Sequence, residues 1–219
     1  MRRRLPSILL TILALNVMWF VLYSAGLGLQ ALVADAPAAL SRVFAEVPGV
    51  TDWLLALHMI AGAVLTLGAP VQALPVLRRR WPGLHRRWGY ALLALALVTG
   101  CAGLAYIAGR GTVGGWWMSL WFAIYGGLIM VAAANTVYHA LNKDMRRHFE
   151  WATRFVILAV GSWIFRMHYV LWFALTGGAG STPGLTGPFD RIQVVAFFVP
   201  YLLLAEILLR RGRRRRGVA

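Results

Sequence analysis

A short basic link between two apolar runs decides the fold of this chain, and it reads Arg78-Arg79-Arg80-Trp81-Pro82-Gly83-Leu84-His85-Arg86-Arg87. The run before it, Trp53–Leu77, contains no Asp, Glu, Lys or Arg, and neither does the run after it, Trp88–Gly109. A helix needs about 20 apolar residues to cross a hydrocarbon core of about 30 Å. Both runs are long enough, so the link is expected at one surface of a membrane.

The same alternation of apolar runs and polar links extends along the 219 residues. Hydrophobic residues make up 60% of the chain and charged residues only 13%, which excludes an ordinary soluble domain. The sequence predicts an all-α, single-domain membrane protein over residues 1–219 with six spans: Ser7–Val33, Trp53–Leu77, Trp88–Gly109, Trp116–Leu141, Trp151–Gly177 and Ile192–Leu209. The first span follows Arg2–Arg4 as in a secretory signal, but it is too long for one and is expected to be retained.

The net charge of +15 follows the topology of these spans. Of the 22 basic residues, 17 fall in the two termini and the second and fourth links, all on one side of a six-span protein. The positive-inside rule then places both termini in the cytoplasm. The lipid bilayer, with anionic lipid at the cytoplasmic face, is the predicted partner. Nucleic acid is not, because the arginines do not follow one solvated face.

The outer links and several span interiors carry further local predictions. A short amphipathic helix is expected over Ala38–Glu46, and a flexible loop over the Gly- and Pro-rich Gly178–Asp190. Prolines at positions 70 and 200 predict kinks. Glu206 and Arg210 are one turn apart and are expected to pair.

Ionisable side chains inside apolar spans are costly and usually mark function. His58 lies six residues after Asp52, about 9 Å below the outer end of the second span. Arg166 and His168 lie at a comparable depth in the fifth span. These three residues form a predicted outer layer of candidate cofactor ligands.

A predicted inner layer lies near the cytoplasmic surface and consists of His85, His139, His148 and Arg154. Asp144 and Glu150 are close to it in the sequence, but no pair has a strong metal-ligand spacing, so no metal site is predicted. Arginines around histidines at this depth also suit a phosphate or an anionic lipid head group.

Three functions fit these two layers. The leading hypothesis is a b-type haem held by histidines of neighbouring helices, with Arg166 on a propionate, for membrane electron transfer. The first alternative is a transporter or a small-molecule or lipid-binding protein that uses the same polar interior. The second is a structural or assembly subunit. No phosphate-binding loop or nucleophile elbow is present in the sequence, so no catalytic residue is assigned.

The combination of polar residues resembles a family of bacterial predicted membrane proteins of unknown function. The resemblance implies a multi-pass protein of the cytoplasmic (inner) membrane of a bacterium. The resemblance covers residues 53–169, and its most characteristic part is His85-Arg86-x2-Gly89. It implies a family polar set composed of His58, Gln72, His85, Arg86, His148, Arg154 and Arg166. Transmembrane cytochromes of the b561 type are similar in layout only, since their histidine pairs join other helices than the ones found here.

Overall fold

The computed structural model describes the backbone of residues 4–215 and the side chains of residues 13–213. Within that range the chain forms eight α-helices and one 3₁₀ turn, Pro37–Ala39, and no strand. The helices are α1 (Arg4–Val33), α2 (Val50–Ala73), α3 (Pro75–Arg80), α4 (Pro82–Arg110), α5 (Gly115–Leu141), α6 (Met145–Thr176), α7 (Pro188–Ala196) and α8 (Val199–Arg215). The side chains of Arg2–Arg4 and Arg214–Arg216, which contribute to the predicted basic side, lie outside the described residues.

Six segments are long and apolar enough to cross a membrane, which confirms the predicted number of spans. They are Leu13–Val33, Val50–Ala73, Pro82–Arg110, Gly115–Leu141, Met145–Thr176 and Pro188–Arg213. Below, the basic end of the bundle is the end that carries α3 and the link between α5 and α6. The loop end is the opposite end, which carries the links 34–49, 111–114 and 177–187. The predicted cytoplasmic location of the basic end stays a prediction.

Prolines explain an early end of the second span and an interruption within the sixth. The second span ends at Ala73 and not at Leu77, because the chain turns at Leu74 and Pro75 begins the separate helix α3. In the sixth span α7 ends at Ala196, and α8 begins at Val199. The ring of Pro200 cannot donate to the Ala196 carbonyl and would clash with it, so the helix is interrupted there rather than merely kinked.

Four helices form a closed ring, in which α2 packs on α4, α4 on α5, α5 on α6, and α6 back on α2. The first helix, α1, packs along α2 outside this ring, and α7 and α8 pack on α5 and α6. The ring encloses a core that includes Leu65, Leu92, Ile129 and Leu158, each at most 4% exposed. The interior is therefore built by α2, α4, α5 and α6, with α1 as an outer wall.

Glycines allow several of these helices to approach closely. A Cβ atom added at Gly28 of α1 would lie 2.9 Å from the Ala56 carbonyl oxygen of α2. One added at Gly161 of α6 would lie 2.9 Å from the Tyr125 hydroxyl oxygen of α5. Apolar contact with lipid does not distinguish helix neighbours, so close packing at small residues is a main force between membrane helices.

The link between α1 and α2 is organised by one buried carboxylate. Asp52 is 0% exposed and accepts hydrogen bonds from the backbone nitrogens of Ala45 (2.8 Å) and Gly49 (3.0 Å). It also pairs with Arg110 at the end of α4, at 3.4 Å. The predicted helix over Ala38–Glu46 is wrong, since only the 3₁₀ turn Pro37–Ala39 forms and the remainder is irregular. The carboxylate satisfies backbone groups that a helix would have paired internally.

A second carboxylate organises the link between α6 and α7. Asp190 is 1% exposed and accepts hydrogen bonds from the hydroxyls of Tyr169 (2.8 Å) and Ser181 (2.7 Å). The backbone nitrogens of Thr182 and Gly187 donate to its other oxygen, at 3.0 and 2.9 Å. The link was predicted as a flexible loop from its composition, but the structure shows a loop held by four bonds to one side chain.

At the basic end an ion network joins α6 to α8. Glu206 pairs with Arg154 at 2.5 Å, with Arg210 at 3.0 Å and with Arg213 at 3.4 Å. Arg213 in turn lies 3.6 Å from Glu150. The predicted pair of Glu206 and Arg210 is confirmed, and the network shows that the fifth and sixth spans are neighbours.

Replacing Asp52 by Ala is expected to destabilise the protein. The change leaves two backbone N–H groups and the Arg110 guanidinium without their partner, which costs about 1–3 kcal/mol. The measurement is the apparent melting temperature of the detergent-purified protein. The control is Asp35→Ala, at an exposed position of the same link. Equal melting temperatures for the two variants would contradict this account of the loop.

Candidate functional site

A cavity of about 410 Å³ lies inside the helix ring, between its centre and the loop end. Residues of α1, α2, α4, α5 and α6 line it, together with parts of the three loop-end links. Most of the lining is apolar, and His58 and Arg166 are its two ionisable groups other than tyrosines among the residues with described side chains. Small-molecule sites in proteins usually have 300–1,000 Å³ and this kind of lining. The cavity is therefore the candidate functional site.

The imidazole of His58 is fixed by a reciprocal pair of hydrogen bonds between α2 and α4. Its Nδ1 lies 2.8 Å from the Thr99 carbonyl oxygen, and the Thr99 hydroxyl donates to the His58 carbonyl oxygen at 2.9 Å. A carbonyl oxygen can only accept, so Nδ1 carries a proton. Nε2 makes no hydrogen bond within the described residues, and the side chain lines the cavity. A neutral His58 thus offers the cavity an acceptor.

Two glycines make room for this arrangement. A Cβ atom at Gly103 of α4 would lie 2.7 Å from Nδ1 of His58, so the imidazole ring lies directly against the α4 backbone. A Cβ atom at Gly62 of α2 would lie 3.2 Å from the Thr99 hydroxyl oxygen. Both glycines line the cavity. The absence of a side chain at Gly103 therefore lets α2 and α4 approach closely at His58.

Arg166 of α6 brings a positive charge to the same cavity. Its Nη1 donates to the carbonyl oxygen of Ser162 at 3.0 Å and to the hydroxyl oxygen of that residue at 2.9 Å. Its guanidinium carbon lies 4.9 Å from the ring centroid of Phe20, on α1. All seven acidic residues lie within residues 13–213, and none forms an ion pair with Arg166. The guanidinium therefore keeps donors available for a ligand.

The characteristic motif at the start of α4 forms one packing unit with the end of α2. Gln72 donates from Nε2 to the His85 carbonyl oxygen at 2.7 Å. A Cβ atom at Gly89 would lie 3.2 Å from that nitrogen, so the glycine leaves space for the Gln72 amide. Trp88 meanwhile packs on Gly68 and donates from its indole nitrogen to the Gly68 carbonyl oxygen at 3.4 Å. The motif closes the α2–α4 hairpin at the basic end.

The hairpin motif and the helices around it match a known family. The profile described as "Predicted membrane protein (DUF2306)" matches residues 55–209, from α2 to α8. This chain belongs to the DUF2306 family. A search of curated proteins and a search of solved structures each found no match. Helix α1, whose residues also line the cavity of this DUF2306 protein, lies outside the matched range.

His168, the third residue of the predicted outer layer, does not reach the cavity of this DUF2306 protein. Its Nδ1 lies 3.0 Å from the Gln193 side-chain oxygen, and its Nε2 lies 2.8 Å from the Tyr201 hydroxyl oxygen. Both ring nitrogens therefore have partners on α7 and α8. The structure brings His58 and Arg166 together around one cavity, and it places His168 on the opposite side of α6, toward the sixth span.

The predicted inner layer is divided among several contacts in this DUF2306 protein. Nδ1 of His148 lies 2.9 Å from the Thr136 carbonyl oxygen, whereas the His85 carbonyl oxygen accepts from Gln72. Arg154 pairs with Glu206 and stacks over Trp151, with the guanidinium carbon 4.9 Å from the ring centroid. Most of these residues therefore form contacts that hold helices together at the basic end.

The remaining residues of the inner layer and the family polar set lie apart from these contacts. His139 is 8% exposed and sits at the end of α5. Beside it, Asp144 caps α6 by accepting from the Arg147 backbone nitrogen at 3.0 Å. That hydrogen bond lowers the pKa of Asp144, and the nearby arginines and His139 add to the effect. Arg86 is exposed and makes no polar contact within the described side chains. No group of three metal-ligating residues forms in the described range.

Sequence reasoning missed Thr99 and Tyr23 as parts of the site of this DUF2306 protein. Thr99 precedes Gly100 and stands one turn from Gly103, so the stripe of small residues was the signal that this face of the third span meets another helix. Tyr23 of α1 gave no signal, because nothing in the sequence indicates which face of the first span turns toward the ring.

Replacing Gly103 by Ala is expected to displace the His58 imidazole. The new methyl group would lie 2.7 Å from Nδ1 and would break its bond to Thr99. Overpacking of this kind costs about 1–3 kcal/mol. Thermal unfolding of Gly103→Ala is compared with that of Gly127→Ala, because a Cβ atom at Gly127 meets nothing within 4 Å. The expectation fails if the two variants melt at the same temperature.

Proposed function

We propose that this protein binds, inside the membrane, an amphiphilic small molecule with an acidic head group. The observation that carries the proposal is the Arg166 guanidinium, which lines the cavity without a carboxylate partner. A lone charge among apolar side chains is costly, and an anionic ligand would offset that cost. The cavity's other lining residues, mostly apolar, would surround the hydrocarbon part of the ligand.

The two polar groups of the site favour an acid that still carries one proton. Arg166 supplies donors and charge, whereas Nε2 of a neutral His58 supplies an acceptor. A monoalkyl phosphate with one remaining hydroxyl matches both, because its anionic oxygens accept from the guanidinium and its hydroxyl donates to the imidazole. Binding then needs no change in the bond that His58 makes to Thr99.

Arg166→Gln is expected to weaken the binding of dodecyl phosphate by about tenfold or more, because a charge-assisted hydrogen bond contributes about 1.5–3 kcal/mol. The measurement is the rise in melting temperature with increasing dodecyl phosphate, in a non-ionic detergent. The matched control is Arg79→Gln, which removes an exposed arginine of α3 at the basic end. The proposal is wrong if wild type and both variants respond equally, since the response would then come from surface charge.

The cellular setting is proposed along the same lines. The many arginines of the basic end favour the cytoplasmic side and anionic lipid as the surrounding surface. We place the protein in the bacterial cytoplasmic membrane on this basis. A carrier and a receptor would both begin by binding the acidic amphiphile in this cavity, so the proposal covers both.

A second candidate function is the binding of b-type haem, and the geometry of His58 favours it. Histidines that ligate metals usually donate their other N–H to a carbonyl oxygen, as Nδ1 of His58 does to Thr99. Arg166 would then neutralise a propionate. His168 has partners on both nitrogens, so His58 would be the protein's only histidine ligand to the iron.

Haem binding predicts a Soret band in protein that is purified from cells grown with sufficient haem. The band and its shift on reduction should disappear in His58→Ala and persist in His168→Ala. Ultraviolet–visible spectra of the oxidised and the reduced protein make this measurement. Purified wild type without any Soret band would leave the acidic amphiphile as the one function proposed for the cavity.

A further inference from the structure

We infer that the ligand enters the cavity sideways from the bilayer, between α1 and α6, and that it is a single-chain lipid with a phosphate head group. This inference rests on the proposed function and names the source of the ligand. Free phosphate dissolved in water has the same acidic chemistry as a lipid phosphate head group. The route of entry distinguishes these two sources of ligand.

The exposure of the lining residues locates the opening. Among the described residues that line the cavity, only Tyr23 and Arg166 are exposed, and Tyr23 keeps 56% of its surface accessible. The first is on α1 and the second is on α6. Every other lining residue is buried or half-buried, including the ones in the loop-end links. The cavity therefore opens where these two helices meet, and we call this opening the α1–α6 seam.

The loop end is closed over the cavity by specific bonds. The Tyr106 hydroxyl donates to the Val43 carbonyl oxygen at 2.8 Å, and Arg110 donates to the Phe44 carbonyl oxygen at 2.8 Å. The Arg42 guanidinium donates to the Pro183 carbonyl oxygen and so joins the link 34–49 to the link 177–187. These bonds form a roof, and a water-soluble ligand would have to break them to enter.

The α1–α6 seam lies at the depth of the hydrocarbon core. Asn16 of α1 bonds to Trp163 of α6 at 2.7 Å, and Phe20 contacts Arg166 about one turn later on both helices. The two helices α1 and α6 therefore run in the same direction. Tyr23 and Arg166 are each ten residues from the loop end of their helix, which is about 15 Å. A molecule that passes through the seam therefore comes from the acyl-chain region.

The seam also limits the shape of the ligand. The bond of the Trp163 indole nitrogen to Asn16 bounds the opening on the side of the basic end. A phosphate next to Arg166 would leave one hydrocarbon chain to follow the apolar lining or to extend through the seam to the lipid. A lipid with a single chain fits the cavity volume of about 410 Å³ better than one with two chains.

The test closes the seam chemically. Tyr23 and Val170, an exposed residue of α6 one turn beyond Arg166, are changed to Cys in a Cys101→Ser background, which removes the native cysteine. A bifunctional methanethiosulfonate reagent then bridges the two positions, and a reducing agent later cleaves the bridge. The probe is dodecyl phosphate with a photoreactive diazirine on its chain, added to phosphatidylcholine nanodiscs. Mass spectrometry follows the labelling of cavity residues with time.

Bridging is expected to slow cavity labelling by about tenfold or more, and reduction is expected to restore it in the same sample. Arg42→Ala removes the bond between the two links of the roof at a residue that does not line the cavity, and it should leave the labelling rate unchanged. Inorganic phosphate, as the water-soluble probe, should compete only weakly. Labelling at an equal rate with and without the bridge would overturn lateral entry, as would faster labelling when the roof is loosened. If no cavity residue is labelled in wild type, the proposed function itself fails.

Discussion

The reciprocal hydrogen bonds between His58 and Thr99 hold α2 and α4 at the distance on which the rest of the site depends. Each residue contributes one side-chain group and one carbonyl, so polar groups that lipid could not satisfy are paired across the helix contact. The contact is feasible because Gly103 has no Cβ atom where the imidazole lies. It leaves Nε2 free, and it sets the width of the cavity between the two helices.

The distribution of the few carboxylates explains why Arg166, inside the bundle, has no carboxylate partner. Asp52 holds Arg110 at the loop end, while Glu206 and Glu150 hold the arginines of α6 and α8 at the basic end. These ion pairs lie at the two ends of the bundle and join helices there. Between the two ends, the partners of Arg166 within residues 13–213 are the Ser162 oxygens and the Phe20 ring. The arginines that form ion pairs between helices and the arginine without a carboxylate partner thus lie at different depths in the bundle.

Hydropathy and charge were sufficient to predict the six spans, and residue spacing was sufficient to pair Glu206 with Arg210. The depth of His58 and Arg166 followed from counting residues along their spans. The rotation of each helix could not be predicted, because lipid and a packed interior are both apolar and select the same residues. His168 illustrates this, since it shares a helix with Arg166 and yet faces Gln193 and Tyr201.

The position of Arg166 also bears on what can move through the bundle. A fixed guanidinium in a narrow, weakly polar space raises the electrostatic energy of any cation or proton that approaches it. Since no acidic side chain neutralises it, this barrier is not relieved by the protein itself. The bundle is therefore poorly suited to conduct cations, and a neutral molecule or an anion meets far less resistance at the same point.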